Sequence, residues 1–348
     1  MERLNKEKEI FTFDDKKKLT KEEIVYFLQT QNEAVIDRLF TEADRIRKKY
    51  AGNEVHIRGI IEFSNHCGKD CLYCGLRKSN SFVARYRMSL EEIFISARAA
   101  AELGYKTVVL QSGEDRFYTI SDMCSLVERI KGELDLAVTL SLGELSYDEY
   151  ARLKDAGTDR YLLRFETSDP KLYKKLKPDG DYGRRFIILK QLRELGFQVG
   201  SGIMLGLPGQ TLESIADDIL LFDELQLDMV GNGPFISHAD TPLKDTRGGD
   251  LTTSLKVAAL TRLVTLNAHI PATSALGAIH PEGRQKAFGT GANVIMPNIT
   301  PKKYRKHYQI YPGKICIDES PRDCSNCISH MLKTLGRTIS KGYGHSLR

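Results

Sequence analysis

Past residue 55 the chain alternates short apolar runs with amphipathic ones, eight times over. The short runs are "HIRGIIEFS", "TVVLQS", "AVTLSL", "RYLLRFE", "QVGSGIML", "MVGNGPF", "IPATSAL" and "NVIMP", each of strand length and most of them rich in β-branched residues. Between them stand segments of helical period such as "SLEEIFISARAAAELG", "ISDMCSLVERIKGEL" and "YGRRFIILKQLRELG", several closing on glycine as a helix C-cap does. Strands alternating with helices pair in parallel, and eight such units predict an α/β fold closed into a full (β/α)8 barrel of TIM type. A doubly wound open sheet needs fewer strands and a switch point, and the sequence shows none. The expected organisation is a helical amino-terminal extension over residues 1–55, the barrel over 56–300, and a carboxyl-terminal extension over 301–348.

In such a barrel, function sits at the carboxyl ends of the strands. Those ends carry Phe63 and Ser64, Gln111 and Ser112, Ser141 to Glu144, Arg164 and Glu166, Met204, Pro234, Thr273 and Ser274, and Pro297 with Asn298. Polar residues closing apolar strands predict a polar cavity, although any one of them can be a plain loop start. The balance of 51 basic against 46 acidic residues is spread along the chain and points away from nucleic acid. The longest basic run, Lys16 to Lys18, is offset by Asp14, Asp15, Glu22 and Glu23 and reads as a solvated helix face. No 18-residue window is apolar and uncharged, and the amino terminus is too charged for a signal peptide, so a cytoplasmic protein with no membrane partner is expected.

Reduced thiols are the rule in that compartment. Six of seven cysteines fall into two groups, Cys67/Cys71/Cys74 and Cys316/Cys324/Cys327, a metal-site distribution. Cys124 stands alone in "SDMCSLVERI" and reads as a core residue. The first group follows the first strand. A structural zinc site wants four ligands, and His66, adjacent to Cys67, points elsewhere in an extended loop. A four-iron cluster on three thiolates leaves one iron open for binding, which chemistry requires.

"CGKDCLYC", with Tyr73 before the third cysteine, resembles the signature of radical S-adenosylmethionine (radical SAM) enzymes. The resemblance implies a [4Fe-4S] cluster on Cys67, Cys71 and Cys74, S-adenosylmethionine on its open iron, and a 5′-deoxyadenosyl radical as the reactive species. Arg164, Glu166 and Arg185 have the charges to hold the cofactor, though such residues at strand ends are by themselves more often a surface ion pair. "GLPGQT" is a tight βα turn on its own terms and also a string that this superfamily carries.

At finer grain, "HIRGIIEFSNHCGKDCLYCGLR", "VVLQSGED", "DMVGNGPFISHADTPL" and "YQIYPGKIC" resemble the HydE family of [FeFe]-hydrogenase maturases over residues 20–335, with biotin synthase and methylornithine synthase (PylB) more distant. The resemblance implies that Tyr73, Ser112, Glu166, Arg185 and Met204 line the cofactor. It also implies that Gln111, Thr139, Arg164, Met229, Thr273, Ser274 and Tyr308 face the substrate, Thr139 and Met229 also fitting plain core positions. A small organometallic or amino-acid-derived substrate, partner maturases, and a reductant such as flavodoxin or ferredoxin would follow. The family pattern "RHET" is "RFET" here, and Phe165, which cannot hydrogen-bond, alternates away from Arg164 and Glu166. The second cysteine group resembles a variable auxiliary iron-sulfur site; zinc on Cys316, Cys324, Cys327 and His330 is the alternative. A PylB-like methylornithine synthase or other radical SAM mutase, and a non-enzymatic iron-sulfur carrier or scaffold, are the competing functions.

Overall fold

The computed structural model describes residues 13–347. Helices α1 (Lys21–Gln29) and α2 (Glu33–Ala51) precede β1 (Glu54–Ser64), α3 (Leu90–Glu102), β2 (Thr107–Ser112), α4 (Ile120–Leu134), β3 (Ala137–Ser141) and α5 (Tyr147–Asp155). Then come β4 (Arg160–Leu162), α6 (Pro170–Leu176), α7 (Tyr182–Glu194), β5 (Gln198–Ser201), β6 (Met204–Leu205), α8 (Leu212–Glu224), β7 (Met229–Val230) and β8 (Gly233–Pro234). The chain continues through α9 (Leu251–Thr265), α10 (Ser274–Ile279), α11 (Gly283–Phe288), β9 (Val294–Ile295), α12 (Lys302–Arg305), α13 (Pro321–Thr334) and β10 (Thr338–Ile339). Lys16 to Lys18 sit in an exposed turn before α1, not on a helix face.

The helices begin where the sequence offers a capping side chain. Ser89 with Glu92, Thr119 with Asp122 and Ser146 with Glu149 each form a reciprocal box that satisfies first-turn N–H groups at α3, α4 and α5. The helices α3, α5 and α7 end at Gly104, Gly157 and Gly196, all at positive φ, where a side chain would strain the turn.

The strands pair in parallel in the order β10-β1-β2-β3-β4-β5-β7, with β9 on β1. The seventh segment joins only by single parallel bridges, Met229 to His269 and Pro271 to Val294, so the pairing passes round and returns to β1. Pro271 has no N–H to give a ladder, which explains the thin seam. Two predicted strands are each split: "QVGSGIML" becomes β5 and β6 about Gly202, and "MVGNGPF" becomes β7 and β8. The pair β6-β8 forms its own small sheet.

Register fixes which side chains look inward. Arg58 and Glu62 of β1 pair with Thr107 and Gln111 of β2, while Val109 pairs with Thr139 of β3. Arg58 Nη1 lies 2.7 Å from Met229 Sδ, a contact between β1 and β7 that must cross the interior because those strands are not neighbours. The alternate residues Ile61, Val108, Leu110, Val138 and Leu140 are fully buried against the helices. Residues after 301 return to the barrel rather than leaving it. The β10 strand pairs with the start of β1, and the tail runs beneath, where Arg160 Nη2 donates to Tyr343 O (2.8 Å) and Gly344 O (2.9 Å).

Candidate active site at the carboxyl ends of the strands

The three clustered cysteines ride a loop, residues 65–88, that is tied down throughout its length. Asn65 donates from Nδ2 to Ala84 O and His307 O, and Arg85 donates to Asn65 O, Leu76 O, Arg77 O and Asn80 O. Gly75 sits where a Cβ would lie 2.1 Å from Gln309 O, so only glycine lets the loop meet that segment. Burial raises all three thiol pKa values; Cys74 is pushed up to about 12 by burial and then by Cys71, and Cys67 adds to it. The three therefore share one low-dielectric place and stay protonated until a metal displaces the protons. The Glu114 N–H points at Cys67 Sγ at 3.4 Å. Among the described residues no three His, Cys, Asp or Glu side chains converge as a single ion needs. Zinc with sulfur about 2.3 Å away requires that convergence, whereas a four-iron cluster spreads its thiolates over separate irons. His66 belongs to no such group.

Beside the loop stands a charged network. Arg164 and Glu166 lie just beyond the regular part of β4, and Arg164 Nε is 3.1 Å from Glu166 Oε2. Glu166 has φ 68°, a left-handed conformation that costs a non-glycine residue about 1–3 kcal/mol. Its charge also reaches Cys71 and Cys74, raising both. Arg185, buried on α7, donates to Arg164 O (3.2 Å) and pairs with Glu144 Oε1 at 2.8 Å. Burial works against the Arg185 charge, and Tyr173, Glu144 and Glu114 together more than offset it. Phe165 is fully buried on the other side against Phe186 and Phe222, facing the helices as the alternation predicts.

Tyr73 and Met204 pack into a small apolar cluster with Leu172, Leu176, Leu207 and Phe235. Ser112 Oγ donates to Gly113 O and lines a 330 Å³ cleft toward α4 and α5. The segment 306–316 folds back over the strand ends. Gln111 Nε2 donates to buried Tyr308 OH (3.1 Å), Ser274 Oγ meets Tyr311 OH at 2.7 Å, and Lys314 Nζ pairs with Glu62 Oε1 at 2.5 Å. Asn298 donates to the other oxygen of Glu62 (2.8 Å). Thr273 Oγ1 and Thr139 Oγ1 are buried with no hydrogen-bond partner among the described residues. Ser274 is exposed at the start of α10, while Thr139 and Met229 are buried deep in the barrel.

Residues 61–222 match the profile of the radical SAM superfamily. The chain is 49% identical to the [FeFe] hydrogenase maturase subunit HydE of Thermotoga maritima over 337 residues, covering 97% of each protein. The chain belongs to the HydE family of radical SAM enzymes. It is also 28% identical to 3-methylornithine synthase of Methanosarcina acetivorans over 80% of this chain and 79% of the relative. Crystal structures of methylornithine synthase (PylB; TM-score 0.83, 24% identity, 96% and 97% of the chains) and of the [FeFe]-hydrogenase maturase HydG (TM-score 0.81, 20% identity, 96% and 76%) share its fold. As a radical SAM enzyme it works with a [4Fe-4S] cluster and S-adenosylmethionine. The three clustered thiols, Cys71 buried and Cys67 and Cys74 half-buried, the N–H aimed at Cys67 and the ion network fit those groups.

In this HydE-family chain the second cysteine group lies on and before α13. Cys324 is buried, Cys316 half-buried at φ 61°, and Cys327 exposed one turn further on. His330 is exposed on the same helix and does not gather with the three cysteines, so the geometry gives no four-ligand zinc site. Cys124 is half-buried at the core's edge, its Sγ 3.5 Å from Arg152 O, rather than fully inside. Sequence reasoning passed over the Glu62–Lys314 pair and the partnership of Glu144 with Arg185. "YQIYPGKIC" was the one signal for the first.

Proposed function

We propose that this chain acts in [FeFe]-hydrogenase maturation, with Cys67, Cys71 and Cys74 holding the [4Fe-4S] cluster, one iron of which carries S-adenosylmethionine. The observation that carries this reading is that the three-thiol loop and the Arg164–Glu166 pair meet at one mouth: Tyr73 of the loop packs with Met204, whose N–H donates to Glu166 O at 3.3 Å. When bound, the cluster and its cofactor supply a 5′-deoxyadenosyl radical. Glu166 would accept from the cofactor's ammonium group, and Arg185, fixed by Glu144, would pair with its carboxylate. Tyr73, Ser112 and Met204 line the cofactor. The barrel over 56–300 carries the reaction, and the extensions 1–55 and 301–348 support it, the segment 306–316 keeping water from the mouth.

The substrate of this reading is a compact organometallic iron complex bearing carbonyl, cyanide and cysteine ligands, made by a partner maturase, with attack at the cysteine sulfur. Such a substrate needs an enclosed interior. Arg164 holds its carboxylate or an anionic ligand, while Gln111, Tyr308, Thr273 and Ser274 supply neutral hydrogen bonds. Cys316, Cys324 and Cys327 hold an auxiliary iron-sulfur cluster with no part in cofactor cleavage. Arg164→Leu is expected to retain 5′-deoxyadenosine formation without substrate and to lose at least tenfold in hydrogenase activation in a cell-free assay. A wild-type protein that activates no hydrogenase but converts lysine to methylornithine would replace this reading.

A further inference from the structure

The proposed chemistry consumes an electron, and the protein surface over the cysteine loop differs from the rest of the molecule. Three segments are hydrogen-bonded into one face: loop 65–88, α6 extended to residue 177, and residues 301–310. Leu72 N–H donates to Leu176 O at 2.9 Å, Gly75 N–H to Ile310 O at 3.1 Å, and Asn65 Nδ2 to His307 O at 2.8 Å. Within them stand five, four and four basic residues, of which Lys177 and Arg305 are buried, with Asp70 as the single acidic one, in a chain whose totals nearly balance at 51 and 46. Arg77 neutralises Asp70 at 2.5 Å, and the carboxylates that approach the face from outside, Glu114, Asp115 and Glu92, are paired by Lys69, Arg87 and Lys303. Asp179 also reaches it, accepting from Asp70 N–H at 3.0 Å, and Asp169 caps α6, accepting from Lys171 N–H at 2.8 Å. Lys78, Lys171, Lys175 and Lys306 remain exposed on it.

At the end of the same loop Phe82 is 82% exposed, the most exposed large hydrophobic side chain among the described residues. It is held rather than trailing. Asn80, itself buried, donates to Gly75 O (2.7 Å) and accepts from Phe82 N–H (3.0 Å), while Arg85 donates to Asn80 O (3.2 Å). An exposed aromatic ring carried on a hydrogen-bonded backbone within a cationic rim is the pattern of a protein–protein anchor, because the backbone beneath it has little freedom left to lose on docking. Gly75 adjoins Cys74, so the backbone that carries the thiols also carries this surface.

Resting on the reading of the site given above, we propose that this face docks a small acidic one-electron carrier of flavodoxin or ferredoxin type, with Phe82 as its apolar anchor. One electron leaves the reduced carrier and enters the cluster, with no proton transferred. Opposite charges steer the encounter and orient the carrier over the loop, so association weakens as salt rises. Nucleic acid would also favour positive charge, but it gives no reason for that charge to gather over the redox centre.

The test uses the full chain, an acidic flavodoxin, and the variants Phe82→Ala and Lys78→Glu/Lys175→Glu. Isothermal titration with oxidised flavodoxin should show each variant binding at least about tenfold more weakly, with the double charge reversal also flattening the salt dependence. In the loaded enzyme, 5′-deoxyadenosine formation driven by sub-saturating reduced flavodoxin should fall by a similar factor, while the rate driven by dithionite stays at the wild-type value. Wild-type affinity and salt dependence in the variants would overturn the proposal. So would unchanged flavodoxin binding together with a tenfold loss of affinity for a single-stranded RNA probe. Absence of dithionite-driven cleavage in the wild type would count against the catalytic reading alone, and the titration would still decide the docking face.

Discussion

Glu166 shows at the scale of one residue how the site is paid for: its strained φ is kept because it turns a carboxylate toward Arg164 and the thiol loop. Asp218 shows a different cost. Fully buried on α8, it accepts from Ser168 N–H at 2.5 Å, and its second oxygen has no hydrogen-bond partner among the described residues. Burial raises its pKa from 3.8 to about 7. Between those values the native state holds a proton that the unfolded chain has released. The contribution to stability is thus full below pH 4 and falls as pH rises to 7, by up to about 4 kcal/mol. Asp218→Asn keeps the acceptor for Ser168 and removes the titration. The difference between wild-type and variant unfolding free energies, measured in urea from pH 4 to 8, should therefore move steadily in the variant's favour until pH 7. A constant difference across that range would contradict the assignment.

At the scale of elements, the cysteine loop and the segment 306–316 are one unit joined through Gly75. Adding a Cβ there places it 2.1 Å from Gln309 O and 2.7 Å from the His238 ring, so Gly75→Ala must part the two strands of chain. Overpacking of this kind costs roughly 1–3 kcal/mol. The variant should unfold at lower urea and take up several-fold less iron on reconstitution; wild-type iron content would show that the loop does not depend on this contact. Most elements were legible in the sequence because period and caps agree, as at Ser89/Glu92. The seventh strand was legible as a segment but not as a thin one, since its weakness comes from Pro271 meeting Val294 across the seam. The splits at Gly202 and near Asn232 likewise depend on how β6 and β8 find each other. Cys67, Cys71 and Cys74 announce themselves by spacing. Glu62 and Lys314, 252 residues apart, do not, because only the completed barrel brings a β1 carboxylate under the returning segment.

At the scale of the whole molecule, the same fold gives two ends different work. The lower end is filled by Arg58 and Arg160, which donate to the carbonyls of the tail at Tyr343 and Gly344. The upper end gathers the thiols, the ion network and the apolar cluster of Tyr73 and Met204. Folding brings two basic runs that stand far apart in the sequence, 171–177 and 302–306, against the cysteine loop. Among the described residues no helix is long and apolar enough to cross a membrane. The central claim is that the thiols of one loop, and not those of α13, hold the cluster that cleaves the cofactor. The most direct test is 5′-deoxyadenosine formation from S-adenosylmethionine after anaerobic reconstitution and reduction with dithionite, compared among wild type, Cys71→Ala and Cys324→Ala. Cleavage in the wild type, none in Cys71→Ala and a near-normal rate in Cys324→Ala are the results expected, whereas turnover retained in Cys71→Ala would contradict the account.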